Sequence, residues 1–299
     1  MKKLLTLIIL ASIVVPIVSG DKQDPFLEIS KGNTPGHSRI HKFGNNEDVG
    51  GTLEAIWSLG GVYNFTTIAQ IMNVSSTDVD DVVGDTGAWN ITLFGLDANY
   101  LRINESVQLA GQTPVSTVNS YLRVYRAYVR KSGSSNANEG IIYIGPGATV
   151  AGVNANPLAA IPILYGQTMM AIYTVPANCT GYLETFTVST YGKDKEIEVY
   201  LVVNPFNESA RRIEEYHLAI IEFQNFYVPP RPIPSRTDIY VIGDVDVGAA
   251  HITATLDIVL VEDGFEVIQD DQLGANNMLL YIIIAVLALI AIGSNMRKR

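Results

Sequence analysis

Six Asn-x-Ser/Thr triplets, at Asn64, Asn73, Asn90, Asn104, Asn178 and Asn207, are the clearest chemical signal in this sequence, since each is an acceptor pattern for an N-linked glycan. All six lie between the apolar ends of the chain. Chance supplies some triplets in a sequence rich in Asn, Ser and Thr, and their use depends on a host transferase. His37 and His41 stand four apart, the spacing of a metal pair on a helix. Their segment is polar, follows Pro35-Gly36 and has no carboxylate-rich helix, so a solvated arm is the favoured reading over ligation. Asp78-Val79-Asp80-Asp81 resembles part of a calcium loop but lacks the glycine and the distal Glu at the required spacing, and it reads as a solvated turn. Gly145-Pro146-Gly147 has no helix after it to complete a phosphate cradle, and reads as a turn. Cys179, the single cysteine, sits in Ala177-Asn178-Cys179-Thr180 with no activating group beside it, so it reads as structural and within a turn. No Ser/His/Asp set or paired-carboxylate motif stands out. The expectation is a protein that is not an enzyme and uses no cofactor or metal.

Strands must position whatever these residues do. Leu101, Ile103, Val107 and Leu109 alternate with Arg102, Asn104, Ser106 and Gln108, the period of a half-buried strand interrupted only by the polar Glu105. Gly111-Gln112-Thr113-Pro114 supplies a turn, and a second extended run from Val115 to Arg130 suggests a hairpin. In that run Leu122, Val124 and Tyr128 share a face with Arg126 and Arg130, which points to a bulge or an edge position. Further apolar runs cover residues 62–71, 91–96, 140–144, 158–165 and 169–175. The clearest strands are Glu196 to Val203 and His251 to Glu262. Between them the apolar series Tyr216, Leu218, Ile220 changes face to Ile221, Phe223, Tyr227, which one bulge residue would explain. Residues 208–215 are open between strand and helical turn. Pro229, Pro230, Pro232 and Pro234 exclude an inner strand over Val228 to Arg236 and suggest an extended crossing before a strand at Asp238 to Ile242.

The ends read differently. Met1-Lys2-Lys3, the apolar Leu4 to Val18 and the small residues Val18-Ser19-Gly20 make a signal peptide over residues 1–20. Met278 to Gly293 is uncharged and precedes Arg297-Lys298-Arg299, a stop-transfer pattern that predicts a transmembrane helix over 273–294 and a basic cytoplasmic tail over 295–299. Removing the five basic residues of these ends from the total of 20 leaves 15 against 30 acids, a net charge of −15 on the part between them. Such a field repels phosphate backbones, so nucleic acid is not an expected partner. With one cysteine there is no internal disulfide, and the body must be held by its core.

The expected fold class is therefore all-β: one large or two consecutive β-sandwich or jelly-roll-like lobes plus a C-terminal transmembrane helix. The expected division is a polar N-terminal arm over 21–50, a first lobe over 51–160 and a second over 161–268.

The ordered segments GTLEAIWSLGGVYNF, GDTGAWNITLFGLDANY, ESVQLAGQTPVSTVNSYLRVYRAYV, GIIYIGPG, QTMMAIYTVPANCTGYL, FYVPPRPIPSRTDIYV and ITATLDIVLVED run from about Phe43 to Asp263. In that order they resemble a family of tailed-phage, largely marine, virion structural proteins, from which the signal peptide and anchor depart. The resemblance implies a capsid-surface or tail-associated β protein, here placed on a membrane. The resulting expectation is a virion surface protein in a virion or host membrane, ectodomain outside and C-terminus inside. Its expected partners are membrane lipid through the C-terminal helix, copies of itself, with a trimer favoured, and other coat proteins. The alternative is a cellular surface-anchored adhesin or surface-layer component.

Overall fold

Strand-forming residues dominate the computed structural model, which describes residues 25–191, 196–218 and 222–265. The expected signal peptide, the transmembrane helix and the tail lie outside the described residues. Among the described residues no helix is long and apolar enough to cross a membrane. Residues up to Pro35 belong to a unit separate from 36–265. Its described residues, 25–35, open with a six-residue helix, α1 (Pro25–Ser30). Glu28 accepts hydrogen bonds from Lys31 Nζ and Asn33 Nδ2, both at 2.7 Å, fastening the residues that follow the helix.

In chain order the strands are β1 (His37–Val49), β2 (Glu54–Ala55), β3 (Gln70–Ser76), β4 (Ala88–Leu96), β5 (Arg102–Gln108) and β6 (Val115–Tyr121). Next come β7 (Arg123–Ser132), β8 (Ile142–Gly145), β9 (Thr149–Val150), β10 (Val153–Asn154), β11 (Ala159–Ile161) and β12 (Ile172–Thr174). The last six are β13 (Cys179–Tyr191), β14 (Ile197–Asn204), β15 (Arg211–Leu218), β16 (Glu222–Ile233), β17 (Asp238–Val245) and β18 (Ala250–Glu262). All pairings are antiparallel. A long sheet has the order β1-β18-β13-β16 and a second sheet β12-β17-β14-β15, with β2 beside β17. Two smaller sheets, β11-β8-β3-β6 and β5-β4-β7, enclose the first-lobe core, and β9 and β10 form a hairpin.

The long sheet packs on the second sheet through Leu183, Phe186 and Val188 of β13, Ile252, Leu256 and Ile258 of β18, and Val199 and Leu201 of β14. The first lobe packs around Met72, Val74, Ile91, Leu93, Tyr121, Ile142 and Ile144. One sheet serves both cores. In β12, Tyr173 enters the second-lobe core and Ile172 the first; in β17, Ile239 and Val241 face one while Tyr240 and Ile242 pack on the other. Period-two alternation therefore directs apolar side chains to both faces of a covered sheet, which is why Ala171, Ile172 and Tyr173 are all buried. The lobes share a layer.

Several expectations are corrected by pairing. Residues 37–49, read as part of a polar arm, form the 13-residue strand β1, which pairs with β18 from His37↔Val261 to Val49↔Ala250. Its apolar signal is weak because Lys42 and Gly44 occupy inward positions. A Cβ on Gly44 would collide with the Ile56 carbonyl and the Ala171 amide, so the strand crosses its neighbours closely. The expected hairpin is not one: β5 pairs with β4 and β6 with β3, so the turn at Gly111–Pro114 passes from one sheet of the sandwich to the other. Glu105 interrupts the apolar series because its carboxylate bridges those sheets, accepting from Val118 N at 2.9 Å and Asn119 N at 2.8 Å. The run after the turn breaks at Leu122 into β6 and β7, each an edge strand, and β7 has register shifts against β4.

The face change over 216–227 falls at a change of strand: β15 belongs to the second sheet and β16 to the long one. From Arg211 the segment left open is strand, and the proline-rich stretch is an edge strand paired with β13 as far as Ile233.

Candidate interaction surface

Hydroxyl side chains line the face of the long sheet turned away from its core. Ladder register sets Thr253 opposite Ser189, Thr255 opposite Thr187, and Asp257 opposite Thr185. The rows extend to the flanking strands: Phe43 pairs with Thr255, Gln224 with Thr187, and Phe226 with Thr185. Strand spacing of ~4.8 Å makes this a regular lattice, and burial alternates so that these residues are half-exposed while their neighbours are buried. Thr185 Oγ1 donates to Asp257 Oδ2 at 2.6 Å, and His41 Nδ1 lies 2.9 Å from Asp257 Oδ1. Burial pushes the Asp257 carboxyl up, but these two hydrogen bonds and the nearby Arg39 outweigh it and hold it below the usual value. At the rim stand exposed aromatics: Phe43 at 36%, Phe226 at 63% and Tyr191 at 83%.

Edges matter less than the face. β16 is one of the two edge strands of the long sheet, β1 being the other, and Pro229, Pro230 and Pro232 remove three of its donors. Prolines at an edge obstruct strand addition.

The two lobes are clamped beneath this surface. Arg123 of β7 donates from Nε and Nη2 to the two carboxylate oxygens of Asp238 of β17, both at 2.9 Å, with side chains 8% and 6% exposed. Thr174 Oγ1 donates to Asp238 at 2.5 Å, Arg123 Nη1 reaches the Thr66 and Leu122 carbonyls, and the guanidinium lies 5.0 Å from the Phe65 ring centroid. A bidentate pair with its remaining donors satisfied is the arrangement in which burial of two charges is sustained. Sequence reasoning missed it because the partners are 115 residues apart and neither belongs to a motif.

The residues singled out by type are scattered. Asn64, Asn104, Asn178 and Asn207 are exposed, whereas Asn73 and Asn90 are half-buried. Asn73 already donates its amide to the Gly147 carbonyl at 2.7 Å and accepts from Ser116. His37 and His41 lie four residues apart on a strand, ~13 Å along it, which is too far for one ion. Cys179 is the buried first residue of β13, not a turn residue, and burial raises its thiol. Gly147 takes a positive φ of 94° at the turn after β8.

Asp81 is buried, so the acidic stretch is not simply a solvated turn. It accepts from Ser76 Oγ at 2.5 Å, Ala88 N at 2.7 Å, Glu139 N at 2.9 Å and Gly140 N at 3.0 Å, pinning the loops that close the first lobe. Asp78, Asp80 and Glu139 bring carboxylate oxygens within 4.8 Å of one another, a set that could ligate a hard cation. The negative charges of Asp85 first, then burial, Asp78 and Glu139, raise the Asp80 carboxyl.

No protein-family model matches the chain, and no curated protein matches it. Solved structures with some likeness come from infectious bursal disease virus. The structure of its Gx strain is 8% identical, with 76% of this chain and 72% of that chain covered and a TM-score of 0.20. That of its Gt strain is 10% identical, with 80% and 83% covered and a TM-score of 0.19. T=1 particles derived from the same virus give 8% identity, 80% and 79% coverage and a TM-score of 0.17. Scores of this size carry no argument about fold or function.

Proposed function

We propose that this chain is a membrane-anchored surface protein of a virion, whose two-lobed β body packs through the outer face of the long sheet against copies of itself or another coat component. The observation that carries the reading is the hydroxyl lattice of Thr185, Thr187, Ser189, Thr253 and Thr255 with Phe43, Tyr191 and Phe226 at its rim. In a body with a net charge of −15 between its ends, self-association needs a face on which like charges do not meet, and this lattice is largely neutral. Exposed aromatics supply anchor area at low entropic cost. The resemblance of the ordered segments from Phe43 to Asp263 to virion structural proteins supports the setting. In this reading the body works by binding and not by catalysis, and a signal peptide and C-terminal helix place it outside a membrane with its tail inside. A trimer is the favoured state.

Light scattering of the full-length chain across a wide concentration range tests the proposal. Wild type should give an oligomer mass, and the pair Thr187→Arg with Thr255→Arg should shift it to monomer by placing charge in the lattice. A strictly monomeric wild type would overturn self-association and leave only a different coat protein as partner, and an oligomer indifferent to those substitutions would overturn the face-packing reading and leave association to the membrane segment.

A further inference from the structure

Beside β1, where the long sheet meets the β5-β4-β7 sheet, lies an open cleft of about 480 Å³ lined by Arg39, His41, Lys42, Phe94, Arg126 and Tyr128, among others. Its size is that of a small-molecule site. Two clefts of similar volume differ from it in charge. In one, of about 470 Å³, Arg211 and Arg231 are each paired with a glutamate, Glu208 and Glu214. The other, of about 490 Å³, has no charged residue in its lining.

Cations in the β1 cleft fall into two groups. Arg39 lies 3.4 Å from Asp257 and 3.8 Å from Glu184, and His41 lies 2.9 Å from Asp257. Lys42 and Arg126, in contrast, have no carboxylate partner among the described residues. Lys42 is buried, with Nζ donating to the Tyr125 carbonyl, and Arg126 is exposed, with its guanidinium 5.7 Å from the Tyr128 ring centroid. Burial first, and then the charge of Arg126, lower the Lys42 amine to about 7. Arg130 adds a third cation along the same strand, donating to Ser106 Oγ at 3.4 Å. Two neighbouring cations without a counter-charge repel each other, and an anion seated between them is attracted by both.

The adjoining wall is aromatic. Phe94 and Tyr128 stack with centroids 5.8 Å apart and ring planes at 26°. Outside the cleft's lining, on the same face, Ser106 is exposed and its hydroxyl lies 2.9 Å from that of the buried Thr92. Such a wall offers an apolar plane for the C–H face of a pyranose ring, with the exposed Ser106 at its margin. A longer polyanion would meet the negative field of the rest of the body. From this juxtaposition we infer that the cleft binds an acidic saccharide, its anionic group held by Lys42 and Arg126 and its ring stacked on Phe94 and Tyr128. The cleft adjoins the threonine lattice through Arg39 and His41, which reach Asp257, but Lys42, Arg126, Phe94 and Tyr128 belong to none of the lattice rows, so ligand binding and oligomer mass are tested separately.

Isothermal titration of the full-length chain at pH 6.5 tests it with five probes: a sulfated disaccharide from heparin, a carboxylated disaccharide from hyaluronan, maltose, UMP and inorganic sulfate. At least one acidic disaccharide should bind tenfold or more tightly than maltose, and the two acidic arms identify which anion is read. Arg126→Ala should weaken that binding at least tenfold and Tyr128→Ala several-fold, while Arg211→Ala, in the other cleft, leaves it unchanged. Binding should also weaken as pH rises from 6 to 8.5, as Lys42 loses its proton. The charged group that faces Lys42 is Arg126 on β7, beside the Tyr125 carbonyl, while Arg39 and His41 on its own strand turn to the opposite face toward Asp257 and His41 adds its own titration, so only the part of the slope absent in Lys42→Met belongs to Lys42. Equal affinity for maltose, tighter binding of UMP, sulfate binding as tightly as the disaccharides, no binding by either acidic disaccharide, or an indifferent Arg126→Ala would each overturn the proposal.

Discussion

Strand β7 delivers two contacts to the second lobe, and they solve the problem of a buried cation in opposite ways. Arg123 is met by both oxygens of Asp238, by Thr66 and Leu122 carbonyls and by the Phe65 ring. Two residues along, the Tyr125 carbonyl receives Lys42, which has no carboxylate partner among the described residues and instead faces Arg126. The first contact is a clamp whose charges are neutralised on site. The second keeps an amine whose proton is easily lost, and it lies in an open cleft. Stability is concentrated at Arg123, and responsiveness at Lys42.

The largest effect should come from Arg123→Ala, which leaves Asp238 buried and unpaired and should cost about 3–5 kcal/mol. Urea denaturation followed by tryptophan fluorescence measures it, since both tryptophans, Trp57 and Trp89, belong to or adjoin the first lobe. The double change Arg123→Met with Asp238→Asn should recover much of the loss. If it does not, the clamp acts through shape and not through charge.

Asp81→Ala should come next, at roughly 3 kcal/mol, because four donors lose their acceptor at once. Asp81→Asn keeps some acceptor capacity and should cost less. A loss below ~1 kcal/mol for the alanine change would show that water satisfies those donors.

Lys42→Met should have the opposite sign, stabilising by about 1–2 kcal/mol at pH 7 after allowing for the unpaired Tyr125 carbonyl. The pH dependence follows from an amine lowered from 10.5 to about 7. Above 10.5 both folded and unfolded chains hold it neutral. As pH falls from 10.5 towards 7 the unfolded chain takes up the proton and the folded one does not, so the folded state loses relative stability until the slope levels below 7. The difference between wild type and Lys42→Met, followed over that range, should trace this loss. A flat difference would mean that Lys42 is solvated and the contrast with Arg123 is false.

The smallest effect on stability, within ~0.5 kcal/mol, belongs to the exposed Arg126→Ala. Its signature is electrostatic: removing the neighbouring charge should raise the Lys42 amine, which NMR titration of the side-chain nitrogen would detect. An unmoved amine would show that burial alone sets it.

Much of the local structure was legible in the order of residues. The alternation of β18 and β14, the punctuation by Gly, Asn and Pro, and the single cysteine specify short strands held by an apolar core, because side-chain period is a local property. The hydroxyl lattice was already present in the alternating Thr253, Thr255 and Thr185, Thr187, Ser189. Its meeting across two strands 64 or more residues apart was not.

What the sequence by itself determined was which residues could lie on a strand and on which of its faces. Only the tertiary structure decided which strand lay beside which: that residues 37–49 join β18, that β5 and β6 enter different sheets, and that β12 and β17 serve two cores. It also decided the partners of Arg123 and Lys42, which stand 115 and 83 residues from theirs. The reason is physical. Alternation is written in neighbouring residues, whereas sheet order and buried charge pairing depend on which distant surfaces exclude water from one another, and that is settled only when the chain closes on itself.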